Sequence, residues 1–146
     1  MILANRRKKQ RKRRTEQAYV LDAYKRIRSQ GVPSLWEAPL LGRSVDLLFQ
    51  QNGNLITVEF KLKNWRRGIT QARDHRLGGD YAYVCMAGTE PTNALREAVV
   101  DAGVGLFVFI DDSDWPFRIE VPAPRSTITW NAARENLRRL LKLPDR

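Results

Sequence analysis

Residues 44–62 read Ser-Val-Asp-Leu-Leu-Phe-Gln-Gln-Asn-Gly-Asn-Leu-Ile-Thr-Val-Glu-Phe-Lys-Leu. Asn-Gly between two runs of apolar and β-branched residues is the strongest short-range signal for a two-residue β-hairpin. With Asn52 and Gly53 as the centre of a type I′ turn, the register counts outward from Gln51 opposite Asn54. It places Leu47 opposite Val58, Asp46 opposite Glu59, and Ser44 opposite Lys61. Side chains alternate along a strand. One face is then Val45, Leu47, Phe49, Ile56, Val58, Phe60 and Leu62, and the other carries Asp46, Glu59 and Lys61. The apolar face fixes the register, because a slip of one residue would bury the charges.

Directly opposed carboxylates, with β-carbons about 4.5–5.5 Å apart, repel each other. A divalent cation bound by both would offset that cost, and hard oxygen ligands suit Mg²⁺ or Mn²⁺. Lys61 could instead neutralise one carboxylate, or polarise a water. The polar side of a half-buried hairpin would show the same residues without any chemistry. Against that stands position: these strands lie mid-chain, in a sheet that helices should cover on both sides, where charges are rarely idle.

Outward from the hairpin, Thr15 can cap a helix whose apolar positions Tyr19, Val20, Ala23, Tyr24 and Ile27 recur at helical spacing. Gly31 and Pro33 end it. A strand is expected over 35–41, a helix over 69–77 stopping at Gly78-Gly79, and a buried strand over 81–87. Then come a helix over 91–102 closed by Gly103, a strand over 106–110, an edge strand over 117–121 and a helix over 131–143. The predicted fold is α/β, a mixed central β-sheet flanked by helices, with α-β-β-β-α-β as its first part.

The 146 residues suffice for one domain. Lys and Arg number 26 against 16 Asp and Glu, a formal charge of +10. Eight of the basic residues (Arg6, Arg7, Lys8, Lys9, Arg11, Lys12, Arg13, Arg14) fall in residues 1–14, which hold no acid. Like charges in a block repel, so 1–14 reads as a flexible basic arm ahead of one domain over 15–146. Such an arm suits nucleic-acid phosphates, although a solvated tail or a localisation signal has the same composition. A single Cys (Cys85) and a single His (His75) exclude a disulfide framework, a Cys zinc site and a multi-His metal centre. No apolar run approaches the roughly 18–20 residues that span a bilayer. These features lead to the expectation of a cytoplasmic, nucleoid-associated protein without a membrane partner.

Asp46, twelve intervening residues and then Glu59-Phe60-Lys61, on an apolar-backed hairpin followed by a basic helix, resemble the PD-(D/E)xK, or restriction-endonuclease-like, nuclease superfamily. The likeness covers about residues 15 to 87. It is nearest to small stand-alone members such as the archaeal Holliday-junction resolvases. The resemblance implies a Mg²⁺-dependent (or Mn²⁺-dependent) deoxyribonuclease, an endonuclease acting on DNA. In it Asp46, Glu59 and the Phe60 carbonyl hold the metal, and Lys61 orients or helps deprotonate the attacking water. Gln71 matches a glutamine that some members carry on the next helix. Either Glu16, on the first helix, or Glu37 would complete the metal site. Val45 stands where the motif has Pro.

Phosphodiester hydrolysis by a carboxylate-held metal needs no His or Cys nucleophile, in keeping with this composition. Lys63, Arg66, Arg67 and Arg73 follow the motif and suit backbone phosphates, with Trp65 among them available to stack on a base. His75, one turn after Gln71, reads as structural or as facing the site. The apolar side of the last helix is compatible with the core or with a homodimer. Two alternatives stay open: a non-catalytic nucleic-acid-binding protein on the same fold, and a small RNA-binding protein relying on the basic arm.

Overall fold

The computed structural model describes residues 14–142. Helix α1 (Glu16–Ser29) opens on Thr15, whose hydroxyl accepts a hydrogen bond from the Ala18 N–H at 3.0 Å. That bond satisfies one of the first-turn amides a helix leaves unpaired. Next come β1 (Ser34–Leu40), β2 (Arg43–Gln51), β3 (Asn54–Lys61), α2 (Trp65–His75) and β4 (Tyr81–Met86). The chain continues through α3 (Asn93–Ala102), β5 (Gly105–Phe109), β6 (Phe117–Val121) and α4 (Asn131–Leu141).

The six strands form one sheet in chain order. β1, β2 and β3 run antiparallel, β3, β4 and β5 parallel, and β6 antiparallel to β5. Parallel neighbours cannot be joined by a tight turn; α2 and α3 supply the two crossovers. The mixed α/β sheet expected from the sequence is thus the observed one. Asn52 and Gly53 both have positive φ, 54° and 77°, as a type I′ turn requires. Leu47 faces Val58, and Gln51 faces Asn54. A second turn with two positive φ values, Leu41 at 51° and Gly42 at 78°, joins β1 to β2.

Helices cover both faces. Tyr19, Val20, Ala23 and Ile27 of α1 pack on Leu47, Phe49, Val58 and Phe60. On the opposite face Ile69 and Ala72 of α2 and Leu95 and Val99 of α3 cover Ala82, Val84 and Leu106. A third cluster seats Ala133 and Leu137 of α4 on Ala38, Leu40, Leu48 and Leu55. The apolar side of α4 is therefore spent on the core. Among the described residues no helix is long and apolar enough to cross a membrane.

Three local expectations are corrected. Helix α2 starts at Trp65 rather than 69, because the Asn64 side chain caps it by accepting the Arg67 N–H. Helix α3 starts at Asn93 rather than 91, with Thr92 as its cap. Val45 leaves the face of Leu47 and Phe49 and joins the cluster under α4. The reason lies in β1, where Glu37 has φ of 51°. The β1–β2 ladder pairs Trp36 with Leu47 and Ala38 with Val45, but has no pair at Glu37 and Asp46.

The hairpin is tied to the far end of the chain through Asp80, only 4% exposed. Its carboxylate accepts the Leu55 N–H at 2.8 Å and two hydrogen bonds from Arg134 at 2.9 and 3.0 Å. Removing the buried Asp80 carboxylate leaves the buried Leu55 N–H without an acceptor and the half-buried Arg134 without its counter-charge. Asp80→Ala should therefore cost about 3 kcal/mol of unfolding free energy in urea titrations; a loss below about 1 kcal/mol would refute the anchoring role.

Candidate active site

The hairpin stays paired down to Leu47 and Val58 and then opens. Beyond that point β2 follows β1 as far as Arg43 opposite Leu40, while β3 follows β4 as far as Lys61 opposite Met86. Asp46 sits in the fork. Its Oδ2 accepts the Phe60 N–H at 2.8 Å, giving that amide the acceptor that a paired strand would otherwise supply. The fork opens into a cleft of about 350 Å³. Glu16 and Gln17 of α1, Glu37 of β1, Asp46 of β2, Glu59 and Lys61 of β3 and Gln71 of α2 line it. The residues singled out as catalytic from the sequence therefore meet in one place.

Glu59 is only 3% exposed. Burial pushes its carboxyl up to about 9, and the Asp46 charge and hydrogen bond push the same way, while Lys61 pulls back. Asp46 is also raised, by burial first, against hydrogen bonds from Phe60 N–H and Glu59 that favour its charged form. Burial and the neighbouring Asp46 charge thus favour the protonated form of Glu59 at neutral pH when no cation lies between the two carboxyls. Oε2 of Glu59 is buried without a hydrogen-bond partner, and so is Oε1 of Gln71.

A pair of hard-oxygen groups, one with an orphaned oxygen, suits a divalent cation, which would favour the charged form of both. Among the described residues no group of three or more His, Cys, Asp or Glu side chains is gathered for a metal ion. Mg²⁺ needs none, since it commonly takes one or two carboxylates and completes its shell with waters and phosphate oxygens. Of the two further candidates, Glu16 turns Oε2 to the Leu62 N–H at 2.9 Å, and its charge raises Asp46. Glu37 is exposed at the cleft wall.

Helix α2 is the lid over this polar strip. His75 is 3% exposed, with Nε2 4.0 Å from Glu59 Oε2. Burial pushes its imidazole down to about 4, so it is neutral behind the carboxylate. Gly68 lies against the aliphatic stem of Lys61, and a β-carbon at that position would stand 2.6 Å from Lys61 Cγ. The sequence reading missed Gly68. An isolated Gly inside a helix costs about 1 kcal/mol relative to Ala, and that cost was its one signal.

The candidate nucleic-acid contacts separate into two groups. Lys63, Arg66, Arg67 and Arg73 are exposed, and none has an ion-pair partner among the described residues. Most other arginines are engaged, including Arg26, Arg43, Arg96 and Arg118. Arg14 belongs to that engaged set: it pairs with Asp22 at 2.8 Å and Asp111 at 3.1 Å and lies over the Tyr19 ring. It is built into the fold. Arg6, Arg7, Lys8, Lys9, Arg11, Lys12 and Arg13 lie outside the described residues. Trp65 does not present a free ring, being half-buried against the α2–α3 cluster with the Arg66 guanidinium over it at 4.4 Å.

No protein-family model matches the chain, and no curated protein sequence does. Among solved structures it is similar to an XisH family protein from Nostoc punctiforme PCC 73102, with TM-score 0.49 and 13% identity over 71% of this chain and 97% of that one. It is also similar to an fdxN element excision controlling factor protein from Anabaena variabilis, with TM-score 0.49 and 15% identity over 69% and 97%. SfsA of Pyrococcus furiosus, solved in complex with Ca²⁺, gives TM-score 0.40 and 13% identity over 74% and 62%. These are likenesses of chain trace; the roles of residues rest on the geometry of this chain.

The Glu59 shift has a consequence for stability. The folded protein holds a proton on Glu59 up to about pH 9, whereas an unfolded glutamic acid releases it near pH ~4.3. The folded state therefore binds more protons between those values, and stability falls as pH rises through that window. Glu59→Gln removes this dependence. In the absence of divalent metal its melting temperature should exceed that of the native protein at pH 8 to ~9, with the gap closing toward pH ~4. Parallel melting curves at every pH would contradict the shift.

Proposed function

We propose that the chain is a Mg²⁺-dependent (or Mn²⁺-dependent) deoxyribonuclease of the PD-(D/E)xK type, hydrolysing DNA phosphodiester bonds as an endonuclease. The observation that carries this reading is the Asp46–Glu59 pair in the strand fork, Glu59 buried and Asp46 half-buried, both carboxyls raised and flanked by Lys61. Asp46 and Glu59, with the Phe60 carbonyl, would hold the ion. When bound, it supplies Lewis-acid stabilisation of the negative charge that builds on the phosphate.

The remaining steps use this chain's own groups. The ammonium of Lys61, free of ion pairs among the described residues, orients the attacking water and adds positive charge where the phosphoryl oxygens gain negative charge. The water oxygen bonds to phosphorus and gives up a proton to solvent, the bond to one sugar oxygen breaks, and that oxygen takes a proton from solvent as it leaves. Gln71, with Oε1 unpartnered at the cleft, accepts a hydrogen bond from the water and fixes its direction. The neutral imidazole of His75 sits behind Glu59 and adds no charge there. Lys63, Arg66 and Arg67 hold the flanking backbone phosphates.

Incubation of the purified protein with linear, nicked and four-way-junction DNA, and with RNA, should give DNA cleavage that requires Mg²⁺ or Mn²⁺ and stops in EDTA. Glu59→Ala and Lys61→Ala should each lose about a hundredfold or more in rate. Binding without cutting under either metal would defeat the nuclease reading and leave a nucleic-acid-binding protein.

Gly68→Ala tests the seating of Lys61. It should lower kcat about tenfold or more, since small misplacements of a catalytic group are costly, with KM and melting temperature unreduced. A wild-type kcat in that variant would refute the role of Gly68.

Deleting residues 1–13 removes seven basic residues. If each contacts a phosphate, the log–log salt slope of DNA binding falls by about 6. An unchanged slope would refute the arm as a DNA contact.

A further inference from the structure

Beside the cleft, on the outer side of α2, lies a second groove of about 350 Å³. Thr70 and Arg73 line one wall and Ile128 the other. The second wall is a strap, residues 126–130, stapled to the end of α2 by four hydrogen bonds. Ser126 Oγ donates to the Arg76 carbonyl at 2.8 Å, and Thr129 Oγ1 reaches the Arg76 and Gly79 carbonyls at 3.2 and 3.0 Å. The Trp130 N–H donates to the Leu77 carbonyl at 2.8 Å. A strap held this firmly nevertheless presents Ile128, on the groove wall, at 46% exposure, and Trp130, two residues further along and outside the groove lining, at 56%. Trp36, Trp65 and Trp115 are all partly buried, so Trp130 is the tryptophan open to a partner.

The charge beside the strap is positive. Asp74, the acid at the groove, is paired with Arg43, and Arg73 has no ion-pair partner among the described residues. Arg66, Thr70 and Arg73 are spaced i, i+4, i+7 and so share one stripe of the helix, about 10 Å long at the α-helical rise. The neighbouring stripe, Arg67 and Gln71, leads to the cleft.

We infer that this groove, together with the adjoining α2 stripe and the end of the strap, is an interaction surface for an unpaired nucleic-acid strand, whose backbone follows Arg66 and Arg73 while a base stacks on Trp130, two residues past Ile128. Arginines track phosphates, and an exposed indole offers a stacking face that only an unpaired base can use; a duplex hides its base faces. The inference rests on the nucleic-acid reading of the cleft. It deepens that reading by naming the form of substrate: DNA with a single-stranded segment next to the cleaved bond.

Fluorescence anisotropy in EDTA, with the full chain, a labelled single strand and the corresponding duplex, tests it without cleavage. Trp130→Ala should weaken single-strand binding about tenfold or more and leave duplex binding close to wild type, and Trp130→Phe should restore most of the loss. Arg73→Gln should weaken the binding of both. Single-strand affinity unchanged in Trp130→Ala overturns the inference and points to a protein occupant; equal loss on single strand and duplex overturns it as well. Failure of the wild-type protein to bind either nucleic acid would sink the function reading itself, and with it this surface.

Discussion

One hydrogen bond, from the Phe60 N–H to the Asp46 carboxylate at 2.8 Å, marks the place on which the site depends. Above it β2 and β3 form an ordinary hairpin; below it β2 goes with β1 and β3 with β4. Parting two strands in a covered sheet exposes main-chain groups that must find partners elsewhere. A side-chain carboxylate satisfies one of them, and the space left between the strands is the cleft. The hairpin sequence thus supplies a rigid apolar base, the break in pairing, and the acids that occupy the break.

The arrangement is costly, and the surrounding structure offsets the cost. Burial raises the carboxyls of both Asp46 and Glu59, and Glu37, across the ladder from Asp46, takes a positive φ that a non-glycine residue adopts at a price in backbone strain. Helix α2 covers the strip, with glycine where Lys61 passes beneath and a neutral histidine behind Glu59. Asp80 and Arg134 hold the closed end of the hairpin to α4. A segment that served only stability would carry apolar residues at 59 and 61, as the neighbouring positions do.

Much of this was legible from residues alone, because it rests on local chemistry. Asn52-Gly53 dictated the turn, and the turn dictated the register as far as Leu47 opposite Val58. The expected pairs Asp46 with Glu59 and Ser44 with Lys61 do not form, because the strands part there, Ser44 pairs with Pro39, and Asp46 meets β3 through the Phe60 N–H. Thr15 and Gly103 marked a helix start and a helix stop by cap chemistry that acts within one turn. What escaped depends on distant partners. Val45 changed cluster because of a kink at Glu37 in another strand. Arg14 looked like the last residue of the arm until Asp111, far along the chain, accepted its hydrogen bond. Trp65 looked like the stacking residue, yet it is Trp130 that is exposed, and nothing in a single sequence reports which of two tryptophans a helix will bury.

We propose that buried Glu59 and half-buried Asp46 form a pair poised for a divalent cation. Carbon-13 NMR of carboxyl-labelled glutamate, read at Glu59 with and without Mg²⁺, tests it most directly. Glu59 should titrate near pH 9 in the metal-free protein and move below neutrality when Mg²⁺ is added, because the ion favours the charged form. A Glu59 resonance that titrates at its ordinary value, or one that Mg²⁺ leaves unmoved, would contradict it.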